Sequence, residues 1–478
     1  MNRREFLHLA SMAALAAYTK SLSAQQTGGL QKQGPVRKIV ILGAGLAGLA
    51  AAEELSKAGH TVIVLEARNR PGGRVYTLRE PFTDGVYAEA GAGRIPSTHA
   101  LTLQYVQRFN LQLDPFWPES GSSVFLWRGK RQVVPFGKNP DVSQFDVKFT
   151  PEERKLGFGG LEEHYLKPLQ DKMRALPQDG WPMPQLAGWG NLSWGDYLHK
   201  QGASDDAIKA LAFGFEKDSL LDFVHDSLSH AVPKLWKIRG GNDQLPHAMA
   251  KQVADKIKYN AEVVRLEQKN NSVTVTFRQN KKPQIIEADR VICTLPFTVL
   301  RKIPVHPNWS EQKDHAIKNI YMGPVARVFA QTKSRFWEKD GRNGFATVDQ
   351  PMEVWAPTFN EPGTQGIVMS YIYEDLAVKY SAMSESKQIE TTLDLYEQIH
   401  PGFKVQFEKA TTWSWLNDPY ARGAYMVVLP GQFPTIVKHL ATPDGRVHFA
   451  GEHTSPWPGW MQGALHSGLR AAREVNEA

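Results

Sequence analysis

Lys38-Ile-Val-Ile-Leu42-Gly43-Ala-Gly45-Leu-Ala-Gly48 is the stretch on which the fold turns. Residues 38–42 form an unbroken apolar run, the pattern of a parallel strand covered on both faces. Glycines at 43, 45 and 48 follow at once, and 46–58 reads as a helix ending at Gly59. Thr61-Val-Ile-Val-Leu65 reads as a second strand that runs into Glu66, about twenty residues on. Glycines in this place let a backbone approach a pyrophosphate at the helix N-terminus, and the carboxylate accepts hydrogen bonds from ribose hydroxyls. A glycine-rich turn in an ordinary α/β unit would account for the glycines but not for the strand, helix and acid around them. The expected class is therefore α/β, with a Rossmann-like dinucleotide-binding domain.

The rest of the chain is compatible with a large globular protein. With 478 residues it has room for two or three domains, and 42% hydrophobic and 22% charged residues are globular values. Cys293 is the single cysteine, which excludes an intrachain disulfide and any multi-cysteine metal site. Its apolar surroundings, Arg290-Val-Ile-Cys-Thr-Leu-Pro, suit a buried structural thiol. Thirteen tryptophans exceed what a plain scaffold needs, so some of those rings should line a site.

At the N-terminus, Asn2-Arg3-Arg4-Glu5-Phe6-Leu7 places two arginines ahead of a short apolar stretch, 6–17, with small residues at 21–24. This resembles a twin-arginine export signal over 1–24, followed by a Gln/Gly linker at 25–36. An amphipathic helix that happens to carry Arg-Arg is the plain alternative. No segment approaches the roughly 20 apolar residues of a membrane span, so the mature chain should be soluble and periplasmic or secreted. The net charge of +7, or +5 once Arg3, Arg4, Lys20 and Glu5 are removed, is scattered and predicts no nucleic-acid partner.

Beyond Glu66 the run Glu66-Ala67-Arg68-Asn-Arg70-Pro-Gly72-Gly73-Arg74 adds glycines and arginines beside the expected pyrophosphate. It resembles the second fingerprint of the flavin-containing amine oxidase family, and similarity extends over 37–476, with the L-amino-acid oxidase branch the nearest in character. Further matching segments are Trp236-Lys-Ile-Arg-Gly240-Gly241, Ala288-Asp-Arg-Val-Ile-Cys-Thr-Leu-Pro296, Phe336-Trp337, Val447-His-Phe-Ala-Gly451-Glu452 and Pro458-Gly459-Trp460-Met461-Gln-Gly463. The resemblance implies noncovalent FAD held by Gly43, Gly45, Leu46, Ala47, Gly48, Glu66, Ala67, Arg68, Gly73, Arg74, Gly91, Ala92, Gly93, Arg94, Val263, Gly451, Glu452, Trp460 and Met461. Read from residues alone, 446–450 is a last strand with Glu452 beyond its C-terminal end, where open α/β sheets bind ligands. The helix from 461 onward begins there, its positive end available to the flavin's N1–C2 carbonyl edge.

Nucleotide segments at 37–110, 234–300 and 440–478 imply a discontinuous FAD domain with an inserted mixed-sheet substrate domain, 111–233 and 301–439. Within it 150–230 is expected to be mainly helical: Thr150-Pro151-Glu152-Glu153 is a capping box, and Ser193 and Ser204 look like caps. Residues 326–331 and 366–373 read as strands and 385–399 as a helix. Strands are also expected at 260–266 and 272–277. Prolines and tryptophans in 113–136 and 177–194 suggest ordered loops, either an entrance lid or surface packing.

Amine oxidation removes a hydride from the carbon next to nitrogen in a site shielded from water. By resemblance Trp460 and Tyr371 wall that site, with Gly459 beside them and Tyr373 as the register alternative. Arg94, in Glu89-Ala-Gly91-Ala-Gly93-Arg94-Ile-Pro96, resembles the arginine that forks onto an amino-acid carboxylate, although Gly93 replaces that branch's usual methionine. Pairing of Arg94 with Glu89 or with a flavin oxygen is the alternative. Two departures stand out. Ala424, in Asp418-Pro-Tyr420-Ala-Arg-Gly423-Ala424-Tyr425, occupies the position of the flavin-linking cysteine of covalent relatives, and Arg327 stands where the family has a lysine that holds a water. Arginine keeps its proton, so Arg327 puts the oxygen reaction in question. The expectation is oxidation of an amine, an L-amino acid foremost, to an imine that hydrolyses to oxo acid and ammonia, with oxygen reduced to peroxide. A carboxylate-free amine dehydrogenase using a periplasmic electron carrier, and a non-catalytic flavin binder, remain open at this level.

Overall fold

The computed structural model describes residues 29–176 and 181–478, so the stretch 1–24 expected to be an export signal and residues 25–28 of the expected linker lie outside the described residues. A five-stranded, all-parallel sheet organises the nucleotide half. Its strands are β1 (Lys38–Leu42), β2 (Thr61–Leu65), β3 (Ile257–Lys258), β4 (Arg290–Cys293) and β5 (Val447–Phe449), in the order β3-β2-β1-β4-β5. That is a doubly wound arrangement with its reversal point between β1 and β4, where such sheets open a crevice for ligands. Ile39, Val40, Ile41 and Leu42 are fully buried, as the unbroken apolar run requires of a central strand. The short edge strand β3 has no distinct sequence signal; pairing with β2 alone defines it.

Among the helices that border the central cavity are α1 (Leu46–Lys57), α2 (Leu220–His230) and α3 (Met461–Glu477). Helix α3 packs on α1 at very short range because Gly468 faces Ala47, and a β-carbon there would overlap the Ala47 carbonyl oxygen. Strands Ala261–Gln268 and Val273–Gln279 pair antiparallel in a separate four-stranded sheet with Lys282–Ala288 and Val305–His306.

The other half is built on a seven-stranded mixed sheet. Val325–Thr332 and Gly366–Tyr373, the second and third strands from one edge, pair antiparallel, and every residue of both is buried. Helix Glu385–Ile399 packs against Val325–Thr332. Residues 151–230 form a mainly helical block, whose caps sit where hydroxyl residues precede acids. Thr150 and Ser193 each close a capping box, and Ser204 accepts from the Ala207 amide.

One expectation fails. The stretch 113–136 is no lid loop: Leu113–Pro115 pairs with Leu235–Ile238, and Ser122–Trp127 with Lys130–Pro135 forms a hairpin at the edge of the seven-stranded sheet. Arg128 and Gly129 both have positive φ, 48° and 75°, the two-residue turn whose twist suits a hairpin. Tryptophan content had masked the buried run Val124 to Trp127. In the second stretch, 177–180 lie outside the described residues, and Pro184–Asn191 is a 3₁₀ helix followed by helix Trp194–Lys200.

Candidate active site

One cavity of about 1260 Å³ runs from the C-terminal ends of β1 and β4 to the seven-stranded sheet and α2. It exceeds the usual range for a single small ligand, so it can hold a dinucleotide and a substrate together. Gly43, Gly45, Leu46, Ala47, Glu66, Ala67, Arg68, Gly73 and Arg74 line one end, and Gly91, Ala92, Gly93, Val263, Gly451, Glu452, Gly459, Trp460 and Met461 continue the wall. Gly48 lies behind them, where a β-carbon would overlap the Gly43 carbonyl oxygen.

Two helix N-termini open on this cavity without a side-chain cap or an acid in the first turn: α1 at Gly45 and α3 at Trp460. Uncapped amides and the aligned peptide dipoles make both ends attractive to anionic ligand atoms. Glu66 is oriented for a diol: Ala44 N donates to its Oε2 at 2.8 Å and Arg68 N to its Oε1 at 2.9 Å. Burial raises its pKa from the usual value. Burial also pushes Glu452 upward, but the neighbouring Arg74, His453 and the Gly459 amide bring it below the usual value. Arg74 Nη1 donates to Glu452 at 2.7 Å and to the Ala424 carbonyl at 2.8 Å, tying three distant segments together.

At the other end, Arg94 lies over the rings of Trp355 at 5.0 Å, Tyr371 at 5.8 Å and Phe116 at 5.9 Å. Its Nη1 donates to Glu353 at 3.2 Å, while Nε and Nη2 have no hydrogen-bond partner among the described residues. Glu89, the partner within the chain weighed from sequence, is not the one observed. Glu89 is already engaged by the Thr77 hydroxyl at 2.9 Å and the Asn242 amide at 2.8 Å, and burial raises its pKa to about 7. Arg327 is 4% exposed, donates through Nη1 to the Glu89 carbonyl, and stands 4.5 Å from the Tyr371 ring centre. Burial lowers its pKa from the usual arginine value.

Tyr371 and Tyr373 both line the cavity, because residues two apart on a strand share a face. Tyr373 stacks on Phe215 at 4.8 Å, and the Tyr371 hydroxyl is 3.4 Å from that of Tyr425. Tyr425 was missed as a site residue although it follows Ala424 directly. Its ring lies beside the place a β-carbon at Gly459 would take, at 3.6 Å, next to Trp460. Trp460 Nε1 donates to Asp226 Oδ1 on α2 at 2.7 Å. Glu353 and Asp226 carried no motif; a lone acid in Met352-Glu-Val-Trp355, whose neighbours are apolar, was the only trace of the first.

A profile of flavin containing amine oxidoreductases matches residues 46–476. The chain belongs to that family. A Bacillus subtilis (strain 168) protein provisionally named an L-amino-acid oxidase is 32% identical over 94% of this chain and 96% of its own length. The L-amino-acid oxidase of Vipera ammodytes ammodytes is 31% identical over 94% and 95% of the two chains. The solved cyclohexylamine oxidase of Brevibacterium oxydans superposes with a TM-score of 0.77 at 22% identity, over 93% of this chain and 99% of that one, a likeness of fold.

This flavin-dependent amine oxidoreductase has the donor set its cofactor needs. The two uncapped helix ends, the diol-facing Glu66 and the glycine cradle would hold FAD, and when bound it supplies the acceptor for the electron pair of the C–H bond next to nitrogen. The residues around that place do the rest. Trp460, Tyr371 and Tyr425 line that part of the cavity with aromatic rings that would keep water from the reacting bond, and the Trp460 indole N–H is held by the Asp226 acceptor. The family match does not favour a binder without turnover.

Ala424 offers no nucleophile, and Cys293 is fully buried outside the cavity lining with its thiol pushed up to about 12. Acid denaturation is therefore expected to release all the yellow chromophore into the supernatant. Colour that stays on the precipitated chain would contradict noncovalent binding.

Proposed function

We propose that the substrate is an L-amino acid whose carboxylate is received by Arg94. The supporting observation is the free Nε/Nη2 edge of a guanidinium that three aromatic rings and Glu353 hold in place inside the cavity. A planar fork of this kind matches a carboxylate bidentately. Orientation through the carboxylate leaves the amine and its C–H bond between Trp460 and the tyrosines. The product imine hydrolyses to oxo acid and ammonia, and oxygen is reduced to hydrogen peroxide. Anaerobic addition of L-amino acids, their D-enantiomers and the matching decarboxylated amines tests this through bleaching of the flavin absorbance. L-amino acids should bleach it fastest; equal bleaching by the decarboxylated amines would overturn the assignment.

Arg327 bears on the second half of the cycle. Its guanidinium is bulkier than the lysine the resemblance implies at this position, charged and pinned to the Glu89 carbonyl, so it would displace the water such a lysine is expected to hold. Reaction with oxygen is expected to be the slower half-reaction, and Arg327→Lys should accelerate it several-fold in stopped-flow mixing while leaving anaerobic bleaching less affected. A native enzyme that reacts with air-level oxygen much faster than it turns over would sink this reading.

The proposed location is periplasmic or secreted, supported by Arg3-Arg4 ahead of Phe6-Leu7. A noncovalent cofactor must be loaded before export, which suits a route that carries folded proteins. Replacing both arginines by lysine should strand the protein in the cytoplasm. Unchanged export would rule the signal out.

A further inference from the structure

Helix α2 turns an unusual edge toward the cavity. Asp222 and Asp226 lie one helical turn apart on it, about 6 Å along the axis, and Asp218 precedes them just before the helix. All three line the cavity. Asp222 is 6% exposed; its Oδ2 accepts from the Val428 amide at 3.0 Å, but its Oδ1 has no hydrogen-bond partner among the described residues. The Asp218 carboxylate, 7% exposed, likewise makes no hydrogen bond among them. Asp226 is braced by Trp460 and by His230, whose Nε2 is 3.4 Å from Oδ2, yet its side chain keeps 45% of its surface open.

Structural duty does not explain three acids. The Val428 amide and the Trp460 indole each need only an acceptor, which asparagine would provide without charge. Buried carboxylates without a cation are costly and repel one another. Among the described residues no lysine or arginine forms an ion pair with Asp218, Asp222 or Asp226; His230 and Trp460, with Arg94 at longer range, hold the Asp226 carboxyl below the usual value, so the uncompensated acids are Asp218 and Asp222, and Arg94 and Arg327 are engaged with Glu353 and the Glu89 carbonyl. Burial, with Asp226 and Glu452 nearby, raises Asp222 to about 7, and burial, with Asp222, Glu374 and Asp226 nearby, raises Asp218 well above the usual range. An incoming cation would relieve both.

We propose that Asp222 and Asp226 form a cation-recognising wall that selects substrates carrying a second, distal ammonium or guanidinium group. The proposal rests on the amine-oxidation reading of the same cavity and deepens it. Asp226 touches the indole beside the reacting amine, and Asp222 lies one turn farther along, so the favoured substrate is a basic amino acid such as lysine, ornithine or arginine. The far acid meets the side-chain cation while Arg94 meets the carboxylate.

The test compares L-lysine with L-norleucine, which has the same chain without the terminal charge. In the native holoenzyme kcat/KM should favour lysine by about tenfold or more, and Asp222→Asn, alone or with Asp226→Asn, should reduce that ratio by a similar factor. Asparagine keeps the acceptors for Val428 and Trp460, and flavin content reports folding. Calorimetric binding of an α-methyl lysine, which has no α C–H bond to oxidise, should weaken in the same variants. Norleucine turnover equal to or better than lysine turnover in the native enzyme would overturn the wall while leaving amine oxidation standing, and that comparison needs no variant. A folded, flavin-loaded double variant with an unchanged ratio would overturn it equally.

Discussion

Gly48→Ala is expected to yield a chain that purifies without flavin. The glycine sits in α1, where helix geometry would tolerate alanine, so the barrier is space: the added methyl would overlap the Gly43 carbonyl oxygen and press the Ile41 side chain at 3.3 Å. Gly43 is backbone at the tight turn out of β1, with φ 103° and its amide bonded to the Leu65 carbonyl at 2.8 Å, so it cannot yield without moving the cradle. Overpacking of this kind costs about 1–3 kcal/mol in stability. Displacing α1 also misaims the uncapped amides at its N-terminus, which removes the anion site as well. Flavin absorbance per protein should fall close to zero, with a lowered thermal midpoint. Gly59→Ala serves as the control, since no atom lies within 4 Å of its missing β-carbon, although its φ of 88° adds local strain. A Gly48→Ala protein with full flavin content would show that the cradle is looser than its packing implies.

Arg94→Ala should cripple turnover of L-amino acids. Removing one partner of an enclosed, hydrogen-bonded charge pair costs about 2–5 kcal/mol, which corresponds to a loss of roughly thirty-fold or more in kcat/KM. The change also leaves Glu353 without its guanidinium, held among the described residues by the Trp355 indole at 2.9 Å, so a negative wall would then repel the substrate carboxylate. Decarboxylated amines gain nothing from Arg94 and meet no such repulsion, so their oxidation should suffer far less. The ratio of the two substrate sets is the measurement. Equal losses for both would assign Arg94 to holding Trp355 and Tyr371 in place. Arg94→Lys separates the effects further, because lysine keeps the charge but loses the planar fork.

The sequence by itself determined the nucleotide half. A strand covered on both faces, a glycine turn, a helix and a second strand ending in an acid are written in contiguous residues, 38–66, and each signal is local: an apolar run, a residue without a β-carbon, a period of 3.6. The same holds for the capping boxes at Thr150 and Ser193, which need only four residues to form. The edge strand β3 was not legible, because two residues paired at the margin of a sheet leave no pattern of their own.

Tertiary structure decided the substrate end. Arg94 meets Glu353 across 259 residues of chain, and Trp460 meets Asp226 across 234, so no window of sequence contains either pair. Which side chains of a strand face the cavity depends on register, and a slip of one residue would have turned Glu353 and Tyr371 away together, since they are directly paired. Tyr425 and the acidic edge of α2 belong to the same class. Their chemistry comes from enclosure beside a partner or the lack of one, and burial of that kind exists only after the two halves of the chain have closed on the cavity between them.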